Sequence, residues 1–432
     1  MSFWGNMFPA FWSLQVMLLA VLCVIATLVL CGRPRNLPPG PRGLPILGNV
    51  LSRMKDPWSY AKWSKKYGDV FTVYFGPKRI IVLHGYSVIR EALVKKSKDF
   101  SSRPLNQAFL SPDGKTLGKK NIIYFKSLFI HNLCSPLGIV EEPYGPKWKE
   151  QRKFAVMSLR DFGLGKRSME GKILEEARAL GDEICKKDGR AFSISQMMQS
   201  AVSNVICSIV FGRRYEYDDT TFKDLLESID RIVYQLFLAG TDKTSTTLRW
   251  ALLYMILHPD IQEKVQQEID SVLGPNQEPS MEHRSQMPYT EATLTEVNRL
   301  AAVTPLTVQH ATSSDTTLRG YNIPKGTAVE IVLLSVHHDP QLWPEPYKFD
   351  PTRFINDAGR YVKREEVIPF SIGRRGCLGE QLARMEIFLI FTSLLQRFTF
   401  KLPGGAPKPS EEGIPGPLHQ PVPFMLVAEP RK

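Results

Sequence analysis

No charged side chain occurs in the first 32 residues, although the full chain of 432 carries 55 Lys and Arg against 43 Asp and Glu, a formal net charge of +12. Paired cysteines are also lacking: six thiols, at 23, 31, 134, 185, 207 and 377, follow no regular framework. That argues against a disulfide scaffold and for reduced thiols in a cytosol-facing protein. Cys/His finger spacing, RNA-binding aromatic motifs and blocks of consecutive basic residues are missing, which places nucleic acid last among partners for the positive surface. An acidic protein or a lipid headgroup suits that charge better. No glycine loop between a strand and a helix offers a phosphate cradle, and no internal repeat is present.

What the charge-free start contains is apolar. Ala10 to Cys31 reads AFWSLQVMLLAVLCVIATLVLC, and as a helix it spans roughly 33 Å at about 1.5 Å per residue, enough for a bilayer core of about 30 Å. The basic residues Arg33, Arg35 and Arg42 follow this run, unlike the order in a cleaved signal peptide, so the remainder of the chain is expected in the cytosol. A buried soluble helix is the alternative. Residues 33–45, RPRNLPPGPRGLP, are stiffened by proline and read as a hinge. The expected organisation is a membrane anchor over 1–32, a hinge over 33–45 and one large domain over 46–432; 43% hydrophobic composition suffices for its core.

In that domain, residues 70–85, VFTVYFGPKRIIVLHG, read as a hairpin, and TTLRGYNIPKGTAVEIVLL from Thr316 reads as a second of the same pattern. SVIREALVKK, KWKEQRKFAVMSLRDFG, KILEEARALGDEICKK, AVSNVICSIVFG, TTLRWALLYMILHPDIQEKVQQEIDSVLG and ARMEIFLIFTSLLQRF carry apolar residues at helical spacing. The fold class is mainly α with small β-sheets.

The chemistry concentrates in FSIGRRGCLGE, residues 370–380. Cys377 precedes a strong helix pattern, so its thiol is expected near a helix N-terminus, where the dipole together with Arg374 and Arg375 favours thiolate. A thiolate can attack an electrophile or bind a metal. Nucleophilic catalysis needs a base, and sequence does not say whether any of the eight histidines reaches it. Zinc needs several ligands at spacings that do not occur, whereas an axial thiolate on haem iron needs no second cysteine.

Phe370, Gly373, Arg375, Cys377 and Gly379 fit Phe-x-x-Gly-x-Arg-x-Cys-x-Gly at every defined place, and here the chain resembles the cytochrome P450 family. The resemblance implies the P450 fold and haem b held by Cys377, with Arg375 on a propionate. Trp148 and Arg152 of YGPKWKEQRKF resemble the family's propionate-binding helix, though a tryptophan covered by an arginine also occurs on ordinary surface helices. His310 of VQHATSSD matches a further propionate contact, or is a satisfied buried histidine. Glu296 and Arg299 of LTEVNRL, with Arg353 of FDPTRF, resemble the glutamate–arginine–arginine network that locks the haem-side core. LFLAGTDKTSTTLRWALLYMILHP resembles the oxygen-activating helix, in which Asp242 and Thr244 would relay protons during dioxygen reduction.

Three departures stand out. Lys243 occupies the place where the family usually has a threonine, and Thr244, about 100° further round the helix, cannot simply take that position; oxygen reduction is expected to be less tightly coupled to substrate oxidation. Only 86 residues separate Arg152 from Ala239, so the fold is expected to be truncated in the middle: DDTTFKDLLESID reads as the start of the first lid helix and runs straight into the oxygen helix. Leu105 to Leu137 is longer than the family's usual loop, with basic and apolar patches that have no familiar counterpart.

The nearest likeness is to microsomal drug-, steroid- and fatty-acid-oxidising P450s, particularly their second family. It implies a monooxygenase anchored in the endoplasmic reticulum membrane, using O2 and an apolar small-molecule substrate, with electrons from NADPH through NADPH-cytochrome P450 reductase and cytochrome b5 as a further partner. Lys147, Lys149 and Lys153 are candidates for the docking face, or ordinary solvated residues. The rival functions are a non-catalytic or impaired haem-binding isoform lacking the lid, and a reductase-independent haem-thiolate isomerase or peroxygenase. A cysteine hydrolase is the distant alternative.

Overall fold

The computed structural model describes residues 36–44, 47–50, 60–76, 78–104, 139–163, 167–217, 219, 231–274 and 276–431, together with 16, 17 and 19–21. Most of the expected anchor, the Leu105–Leu137 stretch and most of the expected lid-helix segment lie outside the described residues. Among the described residues, no helix is long and apolar enough to cross a membrane.

The larger helices are α1 (Tyr60–Tyr67), α2 (Pro146–Asp161), α3 (Arg167–Cys185), α4 (Ser195–Val210), α5 (Arg231–Leu257), α6 (Pro259–Leu273), α7 (Pro288–Ala301) and α8 (Glu380–Arg397). Pro259 divides the long helical run that begins before Trp250: it cannot donate to the preceding turn, and His258 leaves helical geometry at φ −126° and ψ 72°. Proline likewise opens α2 and α7, where its missing N–H costs nothing. The helix expected from SVIREALVKK forms as a short α-turn, Tyr86–Arg90, passing into a π-turn, Glu91–Lys95.

The first hairpin forms as expected, β1 (Val70–Phe75) against β2 (Lys78–His84). The segment from Thr316 does not simply repeat it. β4 (Thr316–Leu318) pairs antiparallel with β5 (Tyr321–Ile323), while β6 (Ala328–Val332) runs parallel to β2 and antiparallel to β3 (His310–Ala311). One four-stranded sheet, ordered β1–β2–β6–β3, thus draws on both ends of the chain. A two-stranded ribbon of β7 (Phe398–Lys401) and β8 (Val427–Pro430) follows α8.

The main core lies among α3 to α8. Apolar residues at helical spacing on α4 (Met198, Val202, Val205, Ile209) meet Leu248, Leu252 and Met255 of α5 and Phe388, Phe391 and Leu395 of α8 in one buried cluster. Each such side chain, once buried, contributes roughly 1.5–3 kcal/mol relative to exposure. A second cluster packs Ile81, Leu83, Val329 and Ile331 of the sheet against Ile89, Leu93 and Ile368. The two cores hold the loop before α8 between them.

Glu296 and Arg299 lie on α7 at helical spacing, with no exposed side-chain surface, and form a two-pronged ion pair at 2.6 and 2.8 Å. The Nε of Arg353 stands 3.4 Å from the same carboxylate, and the Asp350 amide donates to it at 3.0 Å. Arg299 also donates to the carbonyls of His337 and Pro346 at 2.7 and 2.8 Å, so α7 is fastened to the two segments that follow it.

Candidate functional site

Residues 370–379 make a tight loop leading into α8. The Cys377 amide donates to the Phe370 carbonyl at 2.9 Å and the Gly376 amide to that of Gly373 at 3.1 Å. Gly373 has φ 79°, and a Cβ there would collide with the Leu93 carbonyl, so no other residue fits without moving the π-turn. The Gly379 amide donates toward the Cys377 sulfur. Cys377 is exposed as a residue, yet its thiol is crowded by the surrounding protein.

That crowding raises the thiol above its ordinary range, while the Gly379 amide, Lys243 and Arg152 pull it back down. The expected pair of neighbouring arginines is not what faces the sulfur. Arg374 turns to Ser97, 3.0 Å away, and to the Tyr144 ring; Arg375 turns to Trp148 and to backbone. The stabilising cations come instead from α5 and α2.

Trp148, 4% exposed, meets two arginines, Arg375 and Arg152. Its ring carries the Arg375 guanidinium at 4.2 Å and that of Arg152 at 5.5 Å, and its indole N–H donates to the Ile139 carbonyl at 3.1 Å. Arg152 also donates to the Gly376 carbonyl at 2.9 Å. Arg375 donates to the carbonyls of Ser101 and Glu142 at 2.7 and 2.6 Å. The four-residue spacing of Trp148 and Arg152 puts both on one face of α2.

A third arginine, which sequence reading missed, completes the group. Arg103 is buried and donates to the carbonyls of Val140, Val308 and Gln309 at 2.8–2.9 Å. Burial first, and then repulsion from Arg375, push it down to about 9; burial and repulsion from Arg152 push Arg375 down to about 10. None of the three forms an ion pair with a carboxylate among the described residues. Glu141 and Glu142 offset part of the charge on Arg103 and Arg375, but three partly desolvated guanidinium groups without a direct carboxylate bond still fit a dianionic ligand. Beside the thiol, that chemistry matches the two propionates and the iron of a haem.

His310 is 2% exposed on β3, near Arg103 and Arg375. Its Nδ1 lies 2.7 Å from the Phe100 carbonyl, and burial, aided by Arg103, pushes the ring down to about 3. A neutral ring with its proton on Nδ1 presents a lone pair at Nε2; it meets a carboxylate as a donor only when doubly protonated.

On α5 the expected proton-handling residues diverge. Asp242 accepts from Gln199 of α4 at 3.4 Å, and burial raises its carboxyl above the ordinary range. Thr244 is buried and hydrogen-bonded to Glu386 of α8, whose carboxyl is pushed up to about 8 by burial. Lys243, between them, is the side-chain charge felt most strongly by Cys377. Neither Glu386 nor the Lys243–Cys377 relation was singled out from sequence; both arise from contacts between segments more than a hundred residues apart.

The donors around Cys377 are those of a haem-thiolate protein. The family model described as cytochrome P450 matches residues 38–127, 130–235 and 226–428. Among curated proteins the chain is similar to cytochrome P450 2D28 of Mesocricetus auratus, 36% identical over 482 residues with 91% of this chain and 93% of the relative covered. It is also similar to cytochrome P450 2U1 of Mus musculus, 34% identical with 96% and 95% covered, and to cytochrome P450 2J2 of Homo sapiens, 35% identical with 99% of each covered. The chain belongs to the cytochrome P450 family and is a monooxygenase-type oxidoreductase, for which the family implies haem with cysteine thiolate ligation, dioxygen and redox partners.

Two of the noted departures meet these comparisons. The family matches run through most of the Leu105–Leu137 stretch, with a break only at 128–129, so that segment has more of a counterpart than its patches suggest. The 482 positions aligned with the Mesocricetus auratus protein draw on 91% of only 432 residues, so the relative carries residues that this chain lacks. The second and third matches meet at 226–235, where α5 begins.

Proposed function

We propose that this protein is a membrane-anchored monooxygenase that inserts one oxygen atom from O2 into apolar organic substrates, of the xenobiotic, fatty-acid or steroid classes. The observation that carries the reading is the loop of Cys377 lying beside three arginines that bond to backbone carbonyls and form no direct ion pair among the described residues. Bound there, haem b would supply an iron centre able to activate dioxygen, and the electron-rich sulfur of Cys377 would hold it. Arg152 and Arg375 would hold the propionates, Trp148 keeping their guanidinium planes in place, and His310 would join them when protonated. Asp242 and Thr244, the latter backed by Glu386, would hold and pass protons on the α5 side.

Electrons would come from NADPH through NADPH-cytochrome P450 reductase, with cytochrome b5 as a second donor. Lys147, Lys149 and Lys153 are exposed on α2, the helix that carries Trp148 and Arg152, which suits an acidic partner approaching near the site. The apolar run at 10–31 and the basic residues after it support a single-pass anchor over 1–32 in the endoplasmic reticulum membrane, with the hinge over 33–45 and the haem domain over 46–432 facing the cytosol.

A second reading, a catalytically impaired haem-binding isoform, is favoured by two observations: the charge of Lys243 acts on Cys377, and α4 and α5 are joined by residues 211–230 alone. The test of the main reading is the carbon monoxide difference spectrum of the reduced, purified protein, with reductase-dependent substrate consumption beside it. A strongly red-shifted Soret band that Cys377→Ser abolishes is expected. Protein without haem sinks the assignment; haem with the shifted band but no turnover selects the impaired isoform.

A further inference from the structure

Ser97 lies just after the π-turn Glu91–Lys95, in the stretch VKKSKDF. The Lys96 amide donates to the Glu91 carbonyl at 2.9 Å, and the amides of Asp99 and Phe100 fold back onto the Lys96 carbonyl, so the serine sits in a tight bend. Lys95 and Lys98 are exposed on either side of it, and Ser97 itself is half-buried. Its hydroxyl oxygen accepts from the Arg374 Nε at 3.0 Å, while its own hydroxyl proton has no acceptor among the described residues. Ser101, four residues on, is buried with its hydroxyl directed to the Ser97 carbonyl. Asp99, the acid of the bend, turns away to Ser314 and Thr316 at 3.3 and 2.9 Å. The Ser97 hydroxyl is thus left among basic groups, in contact with one of them.

Arg374 ties that hydroxyl to the surface on which α2 carries its lysines. Its exposed guanidinium also lies 5.7 Å from the centre of the Tyr144 ring, and the Lys149 ammonium stands 5.4 Å from the same ring. Contacts therefore run from Ser97 through Arg374 and Tyr144 to Lys149. Because Ser97 is neutral, its hydrogen bond leaves the Arg374 charge uncompensated, and that charge adds to those of the α2 lysines. We propose that Ser97 is the phosphate acceptor for a basophilic serine/threonine kinase, and that the phosphate, clasped by Arg374, closes this surface to an acidic electron donor. The regulatory half rests on the docking of the reductase proposed above; the acceptor and its clasp do not.

Lysines on both sides of the serine complement the acidic cleft of a basophilic kinase. In the transfer the Ser97 Oγ attacks the γ-phosphorus of ATP, the bond from that phosphorus to the bridging oxygen breaks, ADP leaves, and the hydroxyl proton passes to the kinase's base. Nothing is oxidised or reduced. The product carries a charge of about −1.5 to −2 on an oxygen already bonded to a guanidinium, so charge-assisted hydrogen bonds replace a neutral one. Arg374 is then neutralised, and an acidic partner drawn to this surface before modification meets repulsion after it. Arg375, Trp148 and Arg152 keep their own bonds, so the haem-side group is left as it was.

The test uses the full chain, purified in detergent, as wild type, Ser97→Ala and Arg374→Gln. Each is treated with Mg-ATP and the catalytic fragment of protein kinase C, beside a peptide of residues 91–101. Mass spectrometry of chymotryptic fragments locates the phosphate, and a phosphorus NMR titration reads its surroundings. Phosphate is expected on Ser97 of the folded wild type, with a second ionisation about one pH unit below that of the labelled peptide. In Arg374→Gln that ionisation should return toward the peptide's; if this variant does not fold, the comparison of wild type with peptide decides. Labelling should lower reductase-supported turnover about threefold or more and leave peroxide-supported turnover unchanged, while kinase treatment of Ser97→Ala should change neither. No label on Ser97 of the folded protein, whether or not the peptide accepts one, overturns the site. A label that titrates as in the peptide overturns the clasp, and one that leaves reductase-supported turnover intact overturns the regulation. Failure of the haem-thiolate reading shows separately, as a missing red-shifted carbon monoxide band before kinase is added, and the labelling and NMR results stand without it.

Discussion

The guanidinium of Arg375 stacks 4.2 Å from the Trp148 ring while its three nitrogens are all directed at backbone carbonyls. A planar cation fixed in this way is oriented before any ligand arrives. Lysine would keep the charge but not the fork or the stacking. Each desolvated cation–π contact is worth up to about 2 kcal/mol.

Trp148→Ala should therefore release both Arg375 and Arg152, and the purified protein should retain haem at least about tenfold less tightly, the equivalent of about 1.4 kcal/mol. Arg375→Lys should fall between it and the wild type. Haem transfer to apomyoglobin measures the loss; unchanged transfer rates in both variants would show that the stack is only packing.

Arg299→Leu leaves the buried Glu296 carboxylate with the Asp350 amide and, as its remaining cation, Arg353 at 3.4 Å. Breaking one side of a buried pair costs about 3–5 kcal/mol. Thermal unfolding of the haem-loaded protein should show a loss of many degrees, and the variant should be recovered poorly. A shift as small as that of a surface substitution would contradict a locking role.

Glu386 gives a pH signature. Its carboxyl is pushed up from the usual 4.5 to about 8 in the folded protein, so between those values the native state holds a proton that the unfolded chain has released. Stability must then fall as pH rises through this window, by at most about 1.4 kcal/mol per pH unit. Denaturant unfolding of Glu386→Gln, which cannot ionise, should match the wild type near the acid end of the window and exceed it near the alkaline end. Parallel curves across the whole range would mean that Glu386 ionises normally.

Reversing Lys147, Lys149 and Lys153 to glutamate should lower reductase-supported turnover by about tenfold or more, with the defect growing at low ionic strength, where charge steers association most. Peroxide-supported turnover should be spared. Equal loss of both activities would point to misfolding rather than docking.

The loop before α8 was legible because its glycines and its cysteine have spacing that few other structures require, and the helices were legible from apolar periodicity. Sequence adjacency misled where it stood in for contact. Arg374 and Arg375 flank the thiol in the chain, but the fold sends one to Ser97 and the other to Trp148, and brings Lys243 and Arg152 to the sulfur instead. Arg103 gave no signal beyond being an arginine before a proline, since what defines it is burial among three carbonyls from two distant segments. The segment from Thr316 repeats a hairpin pattern locally, yet β6 departs to join β2, a choice made by a distant strand edge that no local pattern encodes.

That last pairing sets a clock on synthesis. Ile80 sits beside Ala328 in the parallel ladder, so the β1–β2 ribbon emerges from the ribosome with one unzipped border and waits until the β6 codons are read. At about 5–20 residues per second the wait is roughly 12–50 s. During it the nascent chain offers a row of bare amides and carbonyls to any neighbour, and a chaperone that shields this border is the cellular factor on which the yield of native protein should depend most.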